Sequence, residues 1–203
     1  MSKPIIIGIT GQTGAGKTTI SDFFRSMGMF IIDADIVSRE VLIKYKEVIE
    51  KLKLEFGDDI VNDSGELNRK LLAFKAFKDK KTTKRLNSIM LKYIRLDIEE
   101  IIAKNINEEV IIIDAPLLFE GGLDKYCDAI ISVIADEDIR LDRITKRDNI
   151  TIDQAIRRMK IQNDADFFKR SSDFVLDGGK KKQLLLDDAE KLITQIKRGF
   201  CCE

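Results

Sequence analysis

The segment Gly11-Gln12-Thr13-Gly14-Ala15-Gly16-Lys17-Thr18 constrains the fold more than any other part of the chain. It is entered from an apolar run, Ile5-Ile6-Ile7-Gly8-Ile9, and left through Ile20-Ser21-Asp22-Phe23-Phe24. The order is strand, glycine-rich loop, helix, and the loop fits G-x-x-x-x-G-K-[ST], the pattern of a phosphate-binding loop. Glycines allow successive backbone N–H groups to curl inward without a Cβ clash, which makes an anion nest. The following helix points its positive end at the same spot. Lys17 adds a point charge for the β- and γ-phosphates, and Thr18 offers a hydroxyl to Mg²⁺. The expected nucleotide-binding set is therefore Gly11, Thr13, Gly14, Ala15, Gly16, Lys17, Thr18 and Thr19.

Composition narrows the chemistry around that loop. The chain has 203 residues, 35 Lys+Arg against 35 Asp+Glu, and no histidine. A balanced charge provides no field to attract nucleic acid or an anionic membrane, so a small-molecule target is expected. Without histidine there is no His-dependent triad and no His-ligated metal, and base catalysis falls to carboxylates. Cys127, Cys201 and Cys202 form no C-x-x-C pair or even-numbered framework, which suits a reducing cytoplasm. The Cys201-Cys202 tail reads as a frayed terminus. No apolar run approaches the length of a membrane span, and the N-terminal apolar stretch is better explained as a first strand than as a signal peptide.

Strand and helix patterns alternate. Strands are expected at 4–9, Met29–Asp33, Val110–Ile113, Ala129–Ile134 and Phe174–Leu176. Helices are expected at 17–27, from Ile36, over Asp136–Arg147 and Thr151–Gln162, and at 180–198. Between about Lys44 and Asn107 only helical spacing appears. A crossover needs about a dozen residues, so an insertion this long suggests substrate binding. Alternation of this kind predicts a parallel sheet covered on both faces, with ligands at the carboxyl ends of the strands.

Several acids and bases follow strand ends. Asp33 and Asp35, at i and i+2, would share a face of an extended segment; one would hold Mg²⁺ through water and the other take a proton. Asp35 also suits a helix cap before Ile36. Val110-Ile111-Ile112-Ile113-Asp114 resembles a Walker B strand and places Asp114 near the Thr18 metal site. The apolar loop Ala115-Pro116-Leu117-Leu118-Phe119-Glu120 would line a substrate pocket. Arg140, Arg143, Lys146 and Arg147, with Arg157, Arg158 and Lys160 on the next helix, read as a lid that excludes water. Thr145-Lys146-Arg147-Asp148 matches a guanine-reading pattern, but its helical surroundings mark the match as coincidence.

Taken together, Gly-Ile-Thr-Gly-x-x-Gly-x-Gly-Lys-Thr, Ile32-Asp33-Ala34-Asp35, Phe56-Gly57, Gly65-Glu66-Leu67-Asn68-Arg69 and Pro116-Leu117-Leu118-Phe119-Glu120 resemble the dephospho-CoA kinase family. Arg143-x-x-x-Arg147, Gln162 and Ala165-Asp166 are similar as well, and the likeness runs from residue 5 to about 178. The resemblance implies transfer of the ATP γ-phosphate to the ribose 3′-hydroxyl of dephospho-CoA. It implies Asp35 as general base, with Thr10, Lys17 and Arg143 completing the phosphoryl site and Arg147 near the adenine. Asp33, Asp35, Leu67, Asn68, Arg69, Pro116, Leu117, Leu118 and Glu120 would serve the acceptor. Two departures stand out: the family's His-Pro pair is missing around Ile89-Met90-Leu91-Lys92-Tyr93, which either weakens substrate binding or is made good by Lys92 or Tyr93, and Leu176-Asp177-Gly178-Gly179 stands where the family often has Asn near the last strand.

The expectation is thus an α/β three-layer P-loop fold with a parallel five-stranded sheet. The core would span 1–37 and 109–203, the helical insertion about 38–108 and the lid about 140–170. ATP and Mg²⁺ would be needed, the partners would be ATP and dephospho-CoA with no nucleic acid or membrane, and the state a monomer or small homo-oligomer. A nucleotide switch, or a kinase for another nucleotide, stays open on the residues alone.

Overall fold

The structure, a computed structural model, describes residues 3–62 and 65–200; the Cys201-Cys202 tail lies outside them. Five strands form one sheet: β1 (Ile5–Gly11), β2 (Phe30–Asp33), β3 (Val110–Asp114), β4 (Ala129–Ile134) and β5 (Phe174–Asp177). Their order is β2-β3-β1-β4-β5 and every pairing is parallel. The central strands are near-continuous Ile and Val, as burial on both faces demands, and Ile7, Ile9, Ile111, Ile112, Ile113 and Ile131 are fully buried. All five strands stand where the apolar runs predict them.

The described chain divides into two compact units. The first comprises residues 1–33 and 105–203 and carries the sheet, α1 (Lys17–Ser26), α6 (Glu137–Asp148), α7 (Ile152–Ile161), α8 (Ala165–Ser171) and α9 (Lys182–Phe200). Its core joins Phe24 and Ile20 of α1 to Leu185, Ala189, Ile193 and Ile196 of α9 across the strands. A smaller cluster of Ile144, Ala155 and Met159 holds α6 to α7. Helix α8 is absent from the sequence reading; its N-cap, Asp164, accepts from Phe167 N at 2.7 Å.

The second unit, residues 34–104, consists of α2 (Ala34–Lys44), α3 (Lys46–Phe56), α4 (Arg69–Ala76) and α5 (Lys80–Lys104). Val48, Leu52 and Phe56 recur every fourth residue and bury one stripe of α3. Buried Asp97 accepts from Lys44 Nζ and Tyr45 Oη, both at 2.6 Å, and the Tyr45 ring lies 4.9 Å from that of Tyr93. Tyr93 is itself buried and receives a 2.8 Å hydrogen bond from Lys51. Its hydroxyl is thereby held within this unit, beneath the helix surface.

Two boundaries differ from expectation. The division falls at Ala34, because α2 packs on α5 and α3. Helix α2 also begins at Ala34, so Asp33 closes β2 while Asp35 sits in the first helical turn. The two acids therefore do not alternate along an extended segment, and the shared strand face expected for them does not exist. A carboxylate in a first turn is favoured by the helix dipole.

Candidate active site

The site is built outward from the carboxyl end of β1. That strand runs on through Thr10 to Gly11, whose φ of 144° and close approach to the Val133 carbonyl leave no room for a Cβ. Gly14 (φ 79°) and Gly16 (φ 107°) provide the remaining left-handed turns, and Gly16 caps α1 in that conformation. Gly16 lies where a side-chain cap would otherwise satisfy the first N–H groups of α1, and no such cap is present. The Thr19 N–H turns back to the Gly16 carbonyl, and the uncapped amides of Lys17 and Thr18 before it are the ones placed to meet an anion.

The loop is held from three directions. Thr13 N donates to Gln162 Oε1 at 2.8 Å, tying the loop to the end of α7. Arg143 Nη1 donates to the carbonyls of Gly14, Ala15 and Gly178 at 3.2, 3.3 and 2.9 Å. Gly178, just past β5, lies so near the Ala15 carbonyl that any Cβ there would collide with it. Sequence reasoning assigned no role to Gln162 or Gly178 in holding this loop. The Gly178-Gly179 pair beyond the last strand was the available signal for the second.

Lys17 Nζ bonds the carboxylate of Asp114, which is buried at the end of β3. In the parallel register Asp114 stands beside Ile9 of β1 and Asp33 of β2. Two carboxylates and the lysine thus gather at one edge of the loop. Thr18 is exposed at the start of α1 and its hydroxyl makes no hydrogen bond to a described residue. Thr19 follows inside the helix, its N–H on the Gly16 carbonyl at 3.0 Å. A hydroxyl and a carboxylate beside a phosphate nest form the hard-oxygen donor set that Mg²⁺ takes alongside nucleotide phosphates. Among the described residues no group of three or more acidic, Cys or His side chains could cage a metal alone.

Other expected site residues are placed differently. Thr10 is fully buried and its hydroxyl donates to the Pro116 carbonyl at 3.4 Å, so it braces the loop after β3 and presents no open hydroxyl. Leu118 is fully buried against Gly8 and cannot line a pocket. The loop after β3 is apolar for packing: Phe119 meets Phe167 edge-on at 5.3 Å and Phe168 at 6.4 Å. Leu117 contributes its carbonyl to Gly121 N, and Glu120 accepts from Asn163 at 2.9 Å. In the second unit Leu67 bridges Val61, Asn68 caps α4 by accepting from Leu71 N at 3.1 Å, and Arg69 opens that helix.

The basic stripe of α6 splits by side-chain environment. Lys146 pairs with Asp142 in solvent. Arg147 grips Asp148 through Nε and Nη2, at 2.7 and 2.9 Å, and Arg158 of α7 joins the same carboxylate. Arg140 turns inward and is buried. Residues 145–148 are helical, so the guanine-like match is positional coincidence.

A glycine cradle closed by a lysine at the carboxyl ends of a parallel sheet, with arginine-bearing helices behind it, defines a P-loop phosphotransferase. The sequence profile of the dephospho-CoA kinase family matches residues 5–183. A dephospho-CoA kinase of Listeria monocytogenes is 34% identical over 195 residues, covering 95% of this chain and 96% of that one. One from Clostridium tetani is 33% identical over 193 residues, covering 94% and 85%. The crystal structure of TT1252 from Thermus thermophilus superposes with a TM-score of 0.82 at 25% identity, covering 96% and 98%. This chain belongs to the dephospho-CoA kinase family.

Proposed function

We propose that this chain transfers the γ-phosphoryl group of ATP to the ribose 3′-hydroxyl of dephospho-CoA, giving CoA and ADP. What supports the reading is a phosphate cradle with Lys17 poised at Asp114, in a chain whose family match runs from residue 5 to 183. ATP enters the nest of loop amides, and Lys17 exchanges the carboxylate for the β- and γ-phosphates. Arg143, braced on the loop carbonyls, keeps the cradle closed and adds positive charge beside it. Asp35 takes the proton of the acceptor hydroxyl as its oxygen bonds to phosphorus and the bond to ADP breaks. Thr18 and Asp114 would hold the Mg²⁺ that neutralises phosphate charge when it accompanies ATP. Arg147 and the α6–α7 pair act as the lid that keeps water from competing with the acceptor.

The unpaired cysteine pattern favours a reducing cytoplasm. Among the described residues no helix is long and apolar enough to cross a membrane. With zero formal net charge there is no field to draw nucleic acid or an anionic membrane, which supports two small-molecule substrates, and the chain is read as a monomer or small homo-oligomer.

The test is an acceptor panel of dephospho-CoA, AMP, CMP and adenosine with ATP or GTP as donor, products resolved by mass spectrometry. Phosphate should appear on the 3′-oxygen of dephospho-CoA with ATP as the preferred donor. Transfer confined to AMP or CMP reassigns the acceptor, and GTP binding without transfer makes the protein a switch.

A further inference from the structure

Beside the phosphate loop lies a cavity of about 500 Å³ formed wholly within the first unit. Its walls are Gln12 of the loop, the turn from β4 into α6 with Arg140, and the end of α7 through Asn163. Nothing derived above occupies it.

Two of the wall residues are anomalous. Gln12 and Arg140 are each only 6% exposed, and each holds a buried polar atom without a partner: Gln12 Oε1 and Arg140 Nε. No carboxylate of a described residue lies within ion-pair distance of Arg140, and its guanidinium makes no hydrogen bond to the described chain. An arginine is almost never buried unless paired. Leaving a buried amide oxygen and a buried guanidinium N–H without partners costs stability at each group. Burial pushes the Arg140 guanidinium below its ordinary pKa, and Glu137, one turn earlier, opposes this only at a distance.

The sign of the lining decides what would satisfy these groups. Arg140 and Lys160 are met by Asp136, Glu137 and Asp164, so the pocket is no anion hole. It offers donors and acceptors together, with Met159, Ala135 and Ala165 as apolar walls. A planar purine meets that description: ring nitrogens accept from a guanidinium, an exocyclic amine donates to an amide or carboxylate oxygen, and the ring face rests on apolar side chains or on the guanidinium plane. The volume suits a nucleoside-sized ligand. Gln12 stands at the strand end of the loop, whereas Lys17 and Thr18, the residues the motif assigns to the nucleotide's phosphates and Mg²⁺, stand at its helix end.

We infer that this cavity receives the adenine of the acceptor, with Arg140 and Gln12 reading its Watson–Crick edge. Arg140 is then a specificity residue for the acceptor, distinct from the residues that hold ATP. The inference rests on the proposed acceptor being dephospho-CoA.

The experiment compares dephospho-CoA with its 1,N6-etheno analogue, whose adenine edge is blocked, in the wild type and in Arg140→Met. The wild type should favour the natural acceptor by about tenfold or more in kcat/KM. Arg140→Met should bring that preference to within about twofold, leave KM for ATP unchanged, and hold or raise Tm, since it removes a buried unpaired charge. An equal loss with both acceptors, a raised KM for ATP, or an intact preference overturns the inference. Should Arg140→Met not fold, Arg140→Lys is judged by the same preference. If the wild type phosphorylates no adenosine-bearing acceptor, the proposed substrate fails instead. The cavity is then read by titrating adenosine into protein saturated with AMP-PNP: heat lost in the variant supports the pocket, and no heat in the wild type rejects it.

Discussion

At the scale of single residues, the contact between Lys17 and Asp114 separates two kinds of assignment. Lys17 is read from its motif, and the structure adds what holds it before nucleotide arrives. Asp35 is read from a resemblance, and the structure moves it from a strand end to the first turn of α2. A carboxylate placed there lies at the positive end of the helix dipole. Asp35→Asn should lower kcat by about 10²–10⁴-fold, the usual contribution of a positioned base. The dissociation constant for ATP, measured by titration calorimetry, should stay within about twofold. A wild-type kcat in this variant removes Asp35 from the mechanism.

At the scale of elements, several residues that look functional in the sequence are structural in their immediate contacts. Asn68 is the clearest case. It lies in Leu67-Asn68-Arg69, yet its side-chain oxygen caps α4 and its N–H reaches the Ile60 carbonyl at 2.7 Å. Asn68→Ala should destabilise the protein by about 1 kcal/mol, whereas Asn68→Ser, which retains a cap, should lose much less. Urea denaturation checks both. Equal stability of the two variants, with a raised acceptor KM, would mean that substrate contact and not capping explains the residue. The Pro116–Glu120 loop teaches the same lesson: Leu118 packs at Gly8 of β1 and Phe119 on α8, leaving Glu120 exposed.

At the scale of the whole molecule, burial in the first unit sets a pH limit. Cys127 packs against Gly8 and Leu123, and burial pushes its thiol up to about 12, with Asp124, Asp128 and Asp173 adding to the effect. In the unfolded chain the thiol ionises near its ordinary value of about 8.5. Above that pH the unfolded state has released a proton that the native state keeps. Stability therefore falls as pH rises from about 9 toward 12, by up to about 1.4 kcal/mol per pH unit from this group. Cys127→Ala removes the dependence, so the gap between the variant and the wild type should shift in the variant's favour between pH 8 and pH 10. Parallel denaturation curves at the two pH values would refute the assignment. The same burial keeps the native thiol slow toward alkylating reagents at neutral pH.

The sheet, the phosphate cradle and the helical insertion were legible in the chain because local rules write them. Buried parallel strands need unbroken Ile and Val, curled amides need glycine, and a helix shows its buried face by period. Family membership was legible because short motifs keep their order along the chain. The direction of each arginine was not, since four basic residues at helical spacing look alike until packing separates them. Tertiary structure alone decided that Lys146 faces solvent, Arg147 and Arg158 share Asp148, Arg143 braces the loop and Arg140 is buried beside Gln12. The physical reason is that backbone conformation depends mostly on neighbours in sequence. The environment of a long charged side chain depends on elements brought together from far along the chain.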